Sequence, residues 1–400
     1  MYNINYAKRE EENVMKMSET FKFKLFYFIR YFGDAFFYPF MSIYFVSKGI
    51  SDSDLGLIFA ITPITTILVN PFWNYIVKDI KTSRLILKIM TVIEGAMIIT
   101  MTQISGFEMY ALIVSIIAFF CSPFINIQDG FTATFCNNEK IEYSSIRIYA
   151  SIAYVVASAI AGSAILWFGY ESVFIISGTF FILTSLIVFW LKPFKKDAEV
   201  SEDTKRDIKS LLKNKNFYKY LIYYTITIGA VRIGDSFFGV YITDLGLESQ
   251  WYGLLYAAFV FVEVITLRIM ITKGQSMGER KLLVLANFLF VARFIFYGFD
   301  LPLSVIIPVT LLRGASWGIL IYANIHYIIK IVKVENVTTA ILIITLFFSI
   351  FTAIGNYGFG LLADANGYSM PYQIVAATVA FGFVFFLAFS PKIPEETDKQ

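Results

Sequence analysis

The chain has 400 residues; 57% are hydrophobic, only 16% are charged, and 42 Phe and 25 Tyr add to the apolar excess. A soluble chain of this size carries about 25% charged residues, so the composition points to an all-α, polytopic membrane protein. The apolar runs are continuous rather than alternating, which excludes a strand-built barrel. The net charge of +3 says little by itself, while the single histidine (His326) and the two cysteines, Cys121 and Cys136, exclude a His/Cys metal cluster. No metal, organic cofactor, enzyme chemistry or nucleic-acid partner is expected.

Residues 1–20 form a polar, charged N-terminal tail without the short apolar core and small-residue cleavage site of a signal peptide. Hydropathy then places about twelve spans, each long enough for ~30 Å of hydrocarbon. Six lie at 21–47, 54–77, 85–104, 109–136, 147–168 and 172–191. A charged linker over 192–216 follows, in which "DTKRDIKSLLKN" has the pattern of a short surface helix. Six more spans lie at 217–243, 252–272, 281–299, 303–329, 338–362 and 371–390, before a tail over 391–400. The expected domains are therefore two six-helix bundles, 21–191 and 217–390. Basic residues crowd the tails, the linker and alternate loops, whereas the intervening loops ("SKGISDSD", "SGFE", "GYES", "TDLGLES", "GFDLPLS", "DANGYS") are short and acidic. Positive-inside bias then puts both termini in the cytoplasm of a multi-pass cell-membrane protein.

The halves resemble each other. "GDAFF" (Gly33 to Phe37) recurs as "GDSFF" (Gly234 to Phe238), and "GISDSDLGLIFA" aligns with "GLESQWYGLLYA", each at the first span and the turn into the second. A parallel repeat of six-span halves is a transporter architecture with a midplane substrate site.

Charged residues inside the spans cost on the order of 3 kcal/mol each at a helix centre on insertion scales. Setting aside those near the span ends, such as Lys88 and Arg268, this chain carries ten: Asp34, Glu94, Asp129, Asp235 and Glu263 against Arg30, Arg147, Arg232, Arg293 and Arg313. The signs balance, as expected for groups that face a bundle interior and pair there. Glu94 ranks below the others, because a third span can lie at the periphery. Helical spacing aligns Arg147, Ser151, Tyr154, Ser158 and Gly162 on one stripe, and Ser122, Asn126, Asp129 and Ala133 on another. The tenth span offers Arg313, Trp317 and Asn324, and the eleventh Ser349, Ala353, Asn356 and Gly360. Such stripes also serve helix packing, and a purely structural intrahelical pair is the lesser reading of Arg30–Asp34.

At these residues the chain resembles the major facilitator superfamily over nearly its whole length. "VKDIKTSR" is similar to the signature loop after the second span, with Asp79 and Arg84 matching and Tyr75 and Thr82 at its glycine places; "MGERK" keeps Gly278 and Arg280 in the second half. The resemblance implies a cytoplasmic gating loop. The stretch from Gln128 to Gly162 resembles the lactose-permease-like branch of proton-coupled sugar and nucleoside symporters. There an acid on the fourth span pairs with an arginine on the fifth and binds substrate, and Asp129 and Arg147 stand at those places. Tyr154 takes the place of a tryptophan that stacks on sugar. Glu263 and Arg293 resemble residues of the eighth and ninth spans. On the tenth span Arg313 stands near a lysine place, but Ser316 and Ile319 replace the histidine and glutamate of that branch.

The resulting expectation is a monomeric secondary transporter that moves a small polar metabolite by alternating access with protons. Asp129, Arg147, Tyr154, Asn126, Arg30, Trp317, Asn324 and Asn356 are expected to bind substrate. Asp34, Asp129, Asp235, Glu263, Arg293 and Arg313 are the candidates for proton coupling. The alternatives are a proton-antiport exporter on the same fold, a polytopic membrane enzyme, and a non-transporting sensor.

Overall fold

The computed structural model describes residues 2–77, 79–191 and 208–390. Among them the chain is helical, with no strand. The helices are α1 (Tyr2–Phe37), α2 (Met41–Ser47), α3 (Asp52–Ile76), α4 (Ile80–Met101), α5 (Phe107–Cys121), α6 (Phe124–Glu139), α7 (Ser144–Trp190), α8 (Ile208–Lys213), α9 (Lys215–Asp244), α10 (Ser249–Lys273), α11 (Glu279–Tyr297), α12 (Leu303–Ile331), α13 (Val337–Asn366) and α14 (Ser369–Phe389). Most of the linker, with the first part of its expected surface helix, and the tail over 391–400 lie outside the described residues; within that stretch α8 is the described helix.

Helix breakers explain how the expected spans map onto these elements. Pro39 and Pro123 lack a backbone N–H and crowd the preceding turn, so the first span divides into α1 and α2 and the fourth into α5 and α6. α7 holds 47 residues, about 70 Å of helix and twice what one crossing needs. Gly169 interrupts it at φ 77°, ψ 167°, a conformation open to glycine because no Cβ obstructs it. Its two parts are the fifth and sixth spans. The described residues thus supply twelve membrane-length crossings.

Seven stretches are long and apolar enough to cross a membrane by length and composition: Asp52–Trp73, Phe107–Glu139, Ser144–Trp190, Ser249–Lys273, Leu303–Ile331, Val337–Asn366 and Ser369–Phe389. α1, α4, α9 and α11 are not among them, and they carry Arg30, Asp34, Glu94, Arg232, Asp235 and Arg293. Large apolar side chains, including Leu68, Phe72, Phe189 and Val384, are exposed on the outside, as lipid contact requires. Trp167, Phe168 and Trp190 are exposed near the ends of the α7 segments, where aromatic belts form.

The chain divides into two compact units. The first comprises residues 1–40 and 68–200. Here α1 and α4 both pack along α7, around a core that includes Phe23, Phe26, Tyr27, Phe131 and Phe135, with Phe23 and Phe135 stacked at 4.0 Å. Ser177 of α7 donates its hydroxyl to the Gly33 carbonyl at 2.8 Å.

The second unit comprises residues 41–67 and 201–400. In it α10 and α11 pack against α12, and α13 and α14 against α9. Tyr372 of α14 donates to the Gly234 carbonyl at 2.9 Å. The recurring Gly-Asp-x-Phe-Phe motif therefore has a recurring contact: in each unit a hydroxyl from the last span reaches its glycine carbonyl. Residues 41–67, which hydropathy places in the first bundle, pack in the second unit. Asp364 accepts the Asp52 and Ser53 backbone N–H groups, both at 2.9 Å, and so caps the start of α3. Tyr368 donates to the Asp52 carboxylate at 2.8 Å. Side chains at Gly56 or Gly360 would run into the facing backbone of the other helix, so α3 and α13 approach closely only because both are glycine.

Candidate functional site

In the first unit the sequence-predicted residues gather in two adjoining polar groups. The first surrounds Asp129 and Arg147. Tyr27 of α1 donates its hydroxyl to Asp129 Oδ1 at 2.7 Å and lies 3.4 Å from the Tyr143 hydroxyl. Arg147, in the first turn of α7's leading segment, is half-buried and places its guanidinium over the Tyr31 ring at 4.9 Å. Among the described residues no carboxylate lies within ion-pair distance of it. Asp129 and Arg147 thus face one aromatic set, Tyr27, Tyr31 and Tyr143, without neutralising each other directly. Gln128 is fully buried with both ends of its amide unpartnered, and the Thr132 hydroxyl one turn on is unpartnered as well. Buried unsatisfied groups of this kind cost about 1–3 kcal/mol each, and a polar guest that hydrogen-bonds them recovers it. Asn126 is exposed on another face of α6, and Tyr154 is half-buried against the aromatic core.

The second group surrounds Arg30. Its guanidinium bonds Asp34 within α1 and donates Nη2–H to Glu94 Oε2 at 3.1 Å and Oε1 at 3.3 Å. The Tyr38 hydroxyl donates to Glu94 Oε1 at 2.7 Å. Phe124 and Phe181 cover the guanidinium at 4.5 Å and 4.2 Å. Glu94, ranked low on sequence grounds, is fully buried at the centre of this group.

In the second unit Asp235 is the hub. Arg293 Nη1 of α11 approaches Asp235 Oδ1 at 2.9 Å, Arg313 Nε of α12 approaches Oδ2 at 3.2 Å, and Trp317 Nε1–H donates to Oδ2 at 2.9 Å. Arg232, one turn before Asp235 on the same helix, is exposed and outside the cluster. Arg293 is fully buried against Phe294 at 4.2 Å, and its contact with Asp235 is ionic without the alignment of a hydrogen bond. Glu263 of α10 lies within electrostatic reach of Arg313. Trp317 thus spends its N–H on Asp235. Asn324 keeps a buried, unpartnered Oδ1, and Asn356 is buried at the α3–α13 contact, donating to the Phe59 carbonyl at 3.4 Å.

The signature-loop residues serve as helix ends within their own units. Asp79 caps α4, accepting Thr82 N–H at 2.8 Å and the Thr82 hydroxyl at 3.0 Å; these bonds hold its carboxyl below the usual carboxylate range. Arg84 donates Nε–H to the Val188 carbonyl at 3.1 Å and also reaches the Phe189 carbonyl, at the end of α7. Arg280 does the same at the end of α14, reaching Ser390 Oγ at 2.9 Å and the Leu387 carbonyl at 3.2 Å. Gly278 starts α11 at φ 73°.

Sequence reasoning missed Tyr27, Tyr31, Tyr143 and Gln128. The signal for the first two was available: Phe23, Tyr27 and Tyr31 recur every four residues on one face of α1. Gln128 left no such trace, because its burial follows from how α6 is rotated in the bundle.

The MFS_1 like family model matches residues 20–374. "Uncharacterized transporter YwbF" of Bacillus subtilis (strain 168) is 24% identical over 92% of this chain and 90% of its own length. "Maltose permease" of Geobacillus stearothermophilus is 22% identical over 90% of each. Among solved structures, the nucleoside transporter NupG (D323A mutant) superposes with a TM-score of 0.82 at 14% identity, covering 92% of this chain and 99% of that one.

Proposed function

The chain belongs to the MFS_1 like family and is a multi-pass membrane transporter of the major facilitator superfamily for a small-molecule substrate, not an enzyme; from that premise we propose that it carries a hydroxyl-rich polar metabolite, a sugar, oligosaccharide or nucleoside, across the cell membrane by alternating access in symport with protons. It works as a monomer with both termini in the cytoplasm. The observation that carries this reading is Arg147: a half-buried guanidinium without an ion-pair partner among the described residues, stacked on Tyr31 beside an Asp129 held by Tyr27. A guest with neighbouring hydroxyls supplies what both lack. Asp129 accepts from one hydroxyl, Arg147 donates to the next, and the tyrosine rings meet the apolar faces of the guest. Gln128 and Thr132 offer further donors and acceptors. The relatives that transport maltose and nucleosides support the substrate class.

The test is uptake of radiolabelled maltose and uridine into proteoliposomes under an imposed inward proton gradient. Wild type accumulates one of them. Asp129→Asn and Arg147→Ala each abolish accumulation while the protein inserts and stays monodisperse. Normal uptake by both variants would show that the site lies elsewhere.

A further inference from the structure

Of the ten charged groups well inside the spans, each unit holds five, with opposite imbalance of sign. The first has two guanidiniums, Arg30 and Arg147, for three carboxylates, Asp34, Glu94 and Asp129; the second has Arg232, Arg293 and Arg313 for Asp235 and Glu263. The surplus negative charge of the first unit falls where two carboxylates meet one arginine. The Arg30, Asp34 and Glu94 side chains are 5%, 11% and 0% exposed. At that depth two carboxylates and one guanidinium leave an uncompensated charge, which a low-dielectric interior strongly disfavours.

We infer that Arg30, Asp34, Glu94 and Tyr38 form a proton-binding site, in which two carboxylates share one guanidinium and a single exchangeable proton completes the charge balance. The geometry says where the proton goes. Glu94 accepts three hydrogen bonds from two donors, Arg30 Nη2 at both oxygens and the Tyr38 hydroxyl besides, so its negative charge is the better satisfied. Asp34 has one donor, the Arg30 Nη1–H group, and the more accessible side chain. The proton therefore adds to an Asp34 oxygen, turning carboxylate into carboxylic acid, and leaves from the same atom; Arg30 then belongs to Glu94 alone. The guanidinium is not saturated, since its buried Nε has no hydrogen-bond partner. Among the described residues no group other than Arg30 forms an ion pair with Asp34 or Glu94. α5 presents Cys121, whose thiol lies 3.6 Å from the Met90 carbonyl; α6 presents the Phe124 ring; α7 presents the Phe181 ring, and its Arg147, laid over Tyr31, is within electrostatic reach of Asp34 but outside ion-pair distance.

This site deepens the proton-coupled reading above and rests on it, but it can be tested without any substrate. Purified full-length protein in lipid nanodiscs, examined by infrared spectroscopy in H2O and D2O near neutral pH, is expected to show a protonated-carboxyl stretch that shifts on deuteration. Both Asp34→Asn and Glu94→Gln abolish it, the first by removing the acid and the second by leaving Asp34 as the sole partner of Arg30. Asp129→Asn keeps it. A band that survives Asp34→Asn and Glu94→Gln, or is missing from wild type, overturns the assignment. Both amide variants remove the surplus charge without changing side-chain shape, so their thermal midpoints stay at or above wild type; midpoints well below it overturn the surplus-charge argument. Pyranine-monitored proton entry during uridine or maltose uptake tests coupling separately. If that flux is absent while the band behaves as expected, the symport reading fails and the site stands.

Discussion

Asp34 and Asp235 occupy the same place in the two copies of one motif, yet the first has one arginine and a second carboxylate beside it and the other has two arginines. Asp34 meets an arginine from its own helix and a competing carboxylate, Glu94, from the third span. Asp235 ignores the arginine on its own helix and takes two from the ninth and tenth spans, with a tryptophan N–H added. The third and ninth spans are counterparts in the repeat, so Glu94 faces one motif and Arg293 the other. The backbone frame is shared even to the hydroxyl on the glycine carbonyl. The fold therefore does not prescribe the sign of the charge beside its first-span aspartate. It prescribes that charges there be compensated, because removing one partner of a buried pair strands the other.

The comparison breaks most visibly at the aspartates themselves. Asp235→Asn leaves Arg293 and Arg313 without their shared carboxylate and is expected to cost about 3–5 kcal/mol, the usual penalty for stranding a buried charge, seen as a collapse of folded yield and thermal midpoint in detergent. Asp34→Asn leaves Arg30 matched one-to-one with Glu94 and spares the fold. Equal losses at both positions would end the claim that the two sites differ in charge balance. A smaller effect sharpens it. Trp317→Phe keeps the ring against Phe290 but removes a hydrogen bond to an ionised carboxylate, and a loss of about 1.5–3 kcal/mol is expected in denaturant or thermal unfolding. The smallest effects test the shared frame. Ser177→Ala and Tyr372→Phe each remove one neutral hydroxyl from a motif carbonyl, and each is expected to lower stability by about 0.5–1.5 kcal/mol. A large difference between the two would show that the equivalence is in sequence only.

Much of the framework was legible in the sequence. Apolar runs of membrane length and the glycine and proline punctuation are local properties, and the expected spans recur as α1 to α7 and α9 to α14 with shifts of a few residues, except that α1 begins at Tyr2 and takes in most of the stretch expected as a tail. The matched turns are legible too: Gly49 and Gly246, aligned by the repeat, both sit at positive φ, 82° and 93°. The candidate site was legible in part. The ionised residues were all named, but their partners were not. Arg232, three residues from Asp235 on the same helix, stays outside its cluster, and spacing gave no reason to bring Glu94 to Arg30 across 64 positions. Asn356 shared a stripe with small residues that turned out to close a helix contact.

The sequence by itself determined that this chain lies in a bilayer, how often it crosses, that its halves are copies, and which side chains carry charge into the hydrocarbon. Those follow from hydrophobicity, length and identity, which neighbouring residues settle among themselves. Only the tertiary structure decided which charges meet, which tyrosines frame Asp129 and Arg147, and that residues 41–67 pack with the second unit. Those depend on the rotation and approach of whole helices. Close backbone contact at glycine and the need to compensate every buried ion fix that arrangement, and no stretch of helix can choose it alone.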